Sequence, residues 1–94
     1  MQMFNPPHPG EIIADILTDL NISNRHLARA LGVAPSTVKR LLAGESSVTA
    51  DMAVRLEAVI GSSARMWLAL QDKYNLCQAR ERIDVTRLYR LAEV

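Results

Sequence analysis

Apolar residues recur at spacings of three and four along most of this chain, the period of amphipathic helices. Ile12, Ile13, Ile16, Leu17 and Leu20 form the first stripe, with Asp15 and Asp19 on the other side. Pro6 and Pro7 keep the preceding segment extended or irregular. Pro9-Gly10-Glu11 opens the helix, with Glu11 well placed against the N-terminal dipole. Asn21, which tolerates left-handed geometry, ends it. Two shorter patterns follow, Asn24–Leu31 and Pro35–Ala43, joined by Gly32-Val33-Ala34. Ser23 or Asn24 caps the first of these. A fourth helix is predicted over Ala50–Ile60, capped by Thr49, with Met52, Ala53, Leu56, Val59 and Ile60 facing inward and Gly61 ending it. Ser62 or Ser63 caps a fifth from about Ala64 to about Ala79, carrying Met66, Trp67, Leu70 and Tyr74. The remainder reads as a continued or separate short helix.

No strand-period run, repeat or low-complexity segment interrupts this series. The expected fold is all-α: one five-helix domain over residues 1–94, with residues 77–94 as a C-terminal helical extension. Within it, residues 23–44 have the arrangement of a helix-turn-helix, whose second helix is offered to the DNA major groove. Leu27, Ala28 and Leu31 share one face of its first helix, and Val38, Leu41 and Leu42 share one face of its second. Ala28 is small where the helices must approach. Gly32 suits a left-handed C-cap, and Pro35 suits a first helical turn that needs no N–H. Ser36, Thr37, Lys39 and Arg40 remain outward, a donor set suited to base edges and phosphates.

Charge sharpens that reading. The net charge of +1 conceals strong segregation. Residues 1–22 carry Glu11, Asp15 and Asp19 and no Lys or Arg, whereas residues 23–44 carry Arg25, Arg29, Lys39 and Arg40 and no acid. Arg55 is outnumbered by Glu45, Asp51 and Glu57 over residues 45–61, and the last third is mildly basic. The helix-turn-helix is the cationic island, and phosphate attraction depends on that local field. Hydrophobic residues make up 49% of the chain but aromatics only 4%, so the core is aliphatic and suits packed helices. No run approaches the roughly 18 apolar residues of a membrane span. The first residues lack the regions of a signal peptide, so a cytoplasmic protein is expected.

Other chemistry is sparse. Cys77 stands alone, which excludes an internal disulfide and a cysteine-based metal site and leaves it as an apolar filler. His8 and His26 have no partner at ligand spacing and read as surface or packing residues, not metal ligands. No phosphate loop, nucleophile elbow or paired-carboxylate signature appears, so neither an enzyme nor a cofactor is expected. Trp67 and Tyr74, two turns apart on one face, read as core. Leu88, Tyr89 and Leu91 are hard to bury in so small a monomer and mark an expected dimer interface. Dimerisation has a physical motive: a twofold pair places two recognition helices about 34 Å apart, one DNA turn.

Residues 23–44, with Ala28, Gly32 and Val38 in place, resemble the lambda-repressor-like (XRE) helix-turn-helix superfamily. His8-Pro9-Gly10-Glu11, Val48-Thr49-Ala50-Asp51-Met52-Ala53 and Trp67-Leu68-Ala69-Leu70-Gln71-Asp72-Lys73-Tyr74 narrow the resemblance to HigA/VapI antitoxins, over roughly residues 6–76. The resemblance implies a homodimeric repressor of its own promoter, bound to a palindromic operator. It also implies neutralisation of a HigB-type toxin, a ribosome-dependent mRNA endonuclease of the RelE superfamily. The family's DNA-contacting surface falls on Ser36, Thr37, Lys39 and Arg40, with Asn24 and Arg25 near the backbone. Many repressors of this superfamily place glutamine at the starts of both helices, where this chain has Asn24 and Pro35. Base reading is therefore expected to shift toward Thr37 and Arg40, with Lys39 on phosphate. No appended disordered segment is present to wrap a toxin, so toxin contact is expected from folded surface or the N-terminal arm. Two alternatives stand beside this reading: an orphan or prophage-type regulator without a toxin, and an interaction module that no longer reads DNA.

Overall fold

The computed structural model describes residues 5–92. Five helices follow one another: α1 (Pro9–Leu20), α2 (Asn24–Leu31), α3 (Pro35–Leu42), α4 (Ala50–Val59) and α5 (Ala64–Arg82). No strand occurs among the described residues. The caps are those the local chemistry favours. Ser23, Thr49 and Ser63 each accept a hydrogen bond from the backbone N–H three residues on, and Asn21 and Gly32 adopt left-handed conformations at the ends of α1 and α2. Glu57 adds a second cap to α5 by accepting from the Ala64 N–H at 2.9 Å.

The core is aliphatic, as composition requires, with one large aromatic at its base. Ile13, Val38, Ala53 and Leu56 are fully buried, and Leu27, Ala28, Leu31, Leu41 and Trp67 nearly so. The expected stripes hold with two corrections. Leu20 is 62% exposed and Val59 38% exposed, because the last turns of α1 and α4 run past the elements that would cover them.

The C-terminal extension also departs from expectation. Helix α5 continues to Arg82, beyond Ala79, and then stops. A short 3-10 turn over Val85–Arg87 follows, with Asp84 accepting from the Thr86 N–H in place of helical pairing. Ile83, Val85 and Thr86 are β-branched and disfavour helix, and no apolar surface covers this segment to compensate. Residues 83–92 are exposed throughout. The chain consequently measures 51 × 24 × 23 Å with a radius of gyration of 16.2 Å, against about 12 Å for a compact domain of this length.

Buried polar groups lock the helices together. Gln71, 3% exposed, accepts from the Val48 N–H at 2.7 Å and donates to Asn75 Oδ1 at 3.0 Å, tying the loop before α4 to α5. Cys77, expected as a filler, is half-buried and donates through Sγ to Asn5 Oδ1 at 3.2 Å.

Candidate nucleic-acid interface

Helices α2 and α3 form the expected pair. Gly32, at φ 73°, directs its N–H back to the carbonyls of Ala28 and Arg29 and turns the chain toward α3. Pro35 occupies the first turn of α3, and Ala34 at its N-cap supplies no side-chain hydrogen bond. Val38 and Leu41 anchor α3 in the core. Ser36, Lys39 and Arg40 are exposed on its outer side, with Thr37 half-buried at the margin. At about 100° per residue these four occupy one continuous arc opposite Val38. The structure therefore presents two cations and two hydroxyls on a single rigid helix face.

Asn24 and Arg25 are exposed at the start of α2. Asn24 lines a shallow depression with Thr18 and Leu42, so the start of α2 lies beside the end of α3. Leu88, Tyr89 and Leu91 do not join this face. They sit on the tail beyond α5 with 62%, 84% and 90% of their surface exposed.

Three residues outside α2 and α3 support the pair. Gly10 packs against its end so closely that a Cβ there would overlap the Leu41 carbonyl oxygen. His8 is buried and caps α1: Nδ1 accepts from the Gly10 N–H at 2.9 Å, while the His8 N–H donates to Glu11 at 3.4 Å. Its ring meets Tyr74 of α5 edge-on at 4.9 Å and lies under Gly44, just past α3. That is the packing role expected for His8, made more specific.

Arg55 of α4 is the third. Its Nη1 donates to the Leu31 carbonyl at 2.6 Å and the Gly32 carbonyl at 3.4 Å. A cation at the C-terminal end of α2 also offsets that helix's dipole. Replacing Arg55 with methionine keeps the packing of the stem and removes both bonds. Because the group is largely exposed, the expected loss is about 1 kcal/mol, read as a lower urea midpoint with an unchanged slope.

The architecture and the cationic helix define a helix-turn-helix protein of the repressor type. The family model described as Helix-turn-helix matches residues 13–67. An HTH-type transcriptional regulator of Escherichia coli K12, YddM, is 50% identical over 91 residues, covering 97% of each chain. Antitoxin HigA-1 of Vibrio cholerae is 33% identical over 78 residues, covering 82% of this chain and 73% of its own. Among solved structures, the Pseudomonas aeruginosa antitoxin HigA with higBA promoter superposes with a TM-score of 0.83 at 37% identity, over 95% of this chain and 97% of that one. The chain belongs to the HigA family of helix-turn-helix antitoxins and transcriptional regulators.

Proposed function

We propose that this protein binds a palindromic operator as a homodimer, represses its own promoter and neutralises a HigB-like toxin of the RelE superfamily. The observation that carries the DNA half is the outward arc of α3, with Ser36, Lys39 and Arg40 exposed and Thr37 half-buried at its margin. A relative of the same fold has been solved with its promoter. Arg40 reads a base edge, Lys39 neutralises a phosphate, and Asn24 and Arg25 hold the flanking backbone. The exposed Leu88, Tyr89 and Leu91 supply the apolar surface through which two copies associate. No helix among the described residues is long and apolar enough to cross a membrane, consistent with action on DNA in the cytoplasm. The toxin half rests on the antitoxin names of the relatives.

Gel shifts on the DNA upstream of the gene test this reading. Arg40→Ala should cost about 1–3 kcal/mol and relax preference at one base pair of each half-site. Lys39→Ala should weaken all sequences alike and reduce the salt slope by about one charge per contact. Unchanged affinity and unchanged slope in both variants would refute the assignment. Co-expression with the adjacent reading frame, followed by co-purification and growth rescue, separates an antitoxin from an orphan regulator.

A further inference from the structure

Helix α5 buries one side only. Trp67 and Gln71 are buried there, with Tyr74 and Gln78 half-buried in line with them. At about 100° per residue, Leu76 lies directly opposite Trp67, and 54% of its surface is exposed. Asp72 and Arg80 are exposed about one turn to either side of Leu76. Exposed Ala69 and the C-cap residue Ile83, 49% exposed, stand about two turns to either side. A depression alongside Leu76 is lined by residues of α5 alone, among them Asn75, Ala79 and Arg82. No other helix of the same copy closes over it.

The order of charges along this stripe selects its occupant. Asp72 and Arg80 are separated by about 12 Å along the axis, so they cannot satisfy each other within one copy. Neither side chain makes a hydrogen bond or ion pair among the described residues. An apolar residue flanked at equal distances by an acid and a base is complementary to its own copy turned end for end. A twofold axis perpendicular to α5 at Leu76 sets residues equally far before and after it against each other. Asp72 then meets Arg80 of the second copy on both sides of the axis, Leu76 meets its own counterpart, and large Ile83 falls opposite small Ala69. Parallel packing would instead oppose Asp72 to Asp72 and Arg80 to Arg80, an arrangement selected against by like-charge repulsion. Exposed ion pairs add little affinity, so here they set orientation while the apolar contacts supply adhesion. The stripe is about 21 Å long and leads at Ile83 into the exposed tail that carries Leu88, Tyr89 and Leu91.

We infer that a second copy of this chain packs on the outer face of α5, helix against helix, antiparallel about a twofold axis at Leu76. The inference rests on the homodimer proposed above and gives it a central helical contact, a defined orientation and a register, with the tail as its continuation.

Cross-linking of the full chain locates the axis. In a Cys77→Ser background, Leu76→Cys should form an interchain disulfide on mild oxidation, because an axial residue meets its own counterpart within reach of a disulfide. Asp72→Cys should not, since its counterpart lies about 12 Å away along the axis. Charge reversal then tests the orientation by sedimentation velocity. Asp72→Arg and Arg80→Asp should each weaken self-association about tenfold or more, and the double variant should restore it. All three positions are exposed, and unchanged circular dichroism melting of the variants checks their folding. A dimeric protein in which Leu76→Cys cross-links no better than Asp72→Cys would overturn the axis. Single reversals without effect, or a double variant no stronger than either single one, would overturn the antiparallel register. Each of these outcomes leaves the homodimer reading in place, carried by the tail alone. A wild type that stays monomeric at every concentration overturns both.

Discussion

Trp67→Ala should lower the melting temperature further than any other single truncation in this chain. Trp67 is 1% exposed and is the largest fully buried side chain. It wedges the first turn of α5 under α4, and its indole N–H donates to the Gly61 carbonyl at 3.3 Å. Cutting it to alanine removes most of that volume from a region whose neighbours are helices fixed at both ends. The expected cost is about 3–5 kcal/mol, against about 5–15 kcal/mol for the total stability of a small domain. At about 4–8 °C per kcal/mol for a chain of this size, the midpoint falls by at least about 12 °C. Circular dichroism is the appropriate readout, because the variant removes the only tryptophan and its fluorescence. Trp67→Phe divides the effect into parts. It retains most of the packing and loses the indole bond, so about 1–2 kcal/mol is expected. A Trp67→Ala midpoint within a few degrees of wild type would mean that α5 is held from elsewhere, through Gln71 or the contact between Tyr74 and His8.

How far the sequence determines each feature by itself follows the range of the forces involved. The helix-turn-helix was legible because all its determinants are local. Leu27, Leu31, Val38 and Leu41 carry the 3.6-residue period, while Ser23, Gly32 and Pro35 fix the boundaries by their own backbone chemistry. The outward set Ser36, Thr37, Lys39 and Arg40 is the complement of that buried face, so it was legible too. Leu20 and Val59 show the limit of periodicity: it identifies an apolar stripe but not how far the opposing surface extends. The tail shows another limit. Ile83, Val85, Leu88 and Leu91 suggest a helical face, yet a helix this short needs tertiary packing, and none covers it.

The supporting residues were illegible for a different reason. Arg55 meets its acceptor 24 residues away, and Gln71 meets Val48 across 23. Arginine and glutamine are ordinary on solvated helix faces, so nothing in their neighbourhood separates a lock from a surface residue. His8 lies between these cases. The pattern from His8 to Glu11 fits a capping box with an imidazole in place of the usual hydroxyl or carboxamide, a substitution that the preferences for N-cap residues do not anticipate.

Gly10→Ala sets two effects of opposite sign against each other. Gly10 lies in the first turn of α1 with an ordinary helical backbone, so propensity alone favours alanine by at most about 1 kcal/mol. The new Cβ would overlap the Leu41 carbonyl oxygen and crowd His8 Nδ1. A flexible side chain could swing aside, but Leu41 is 1% exposed and its carbonyl belongs to the backbone of α3. Relief requires α1 and α3 to separate. Overpacking of this kind costs typically about 1–3 kcal/mol and more when backbone must move, so sterics prevail with a net loss of about 2 kcal/mol or more. The displacement is also transmitted to function, because Arg40 and Leu41 are adjacent on α3. Operator affinity should fall even at temperatures where the variant is folded, unlike the Arg55→Met variant, which acts through the opposite end of the motif and mainly on stability. Gly61→Ala is the control: no atom lies within 4 Å of its would-be Cβ, and only its positive φ of 100° is penalised. A Gly10→Ala protein as stable as wild type would show that α1 and α3 can part by about 1 Å, enough to relieve the overlap of the would-be Cβ with the Leu41 carbonyl oxygen, at little cost. The close approach would then be a consequence of glycine at this position and not a requirement of the fold.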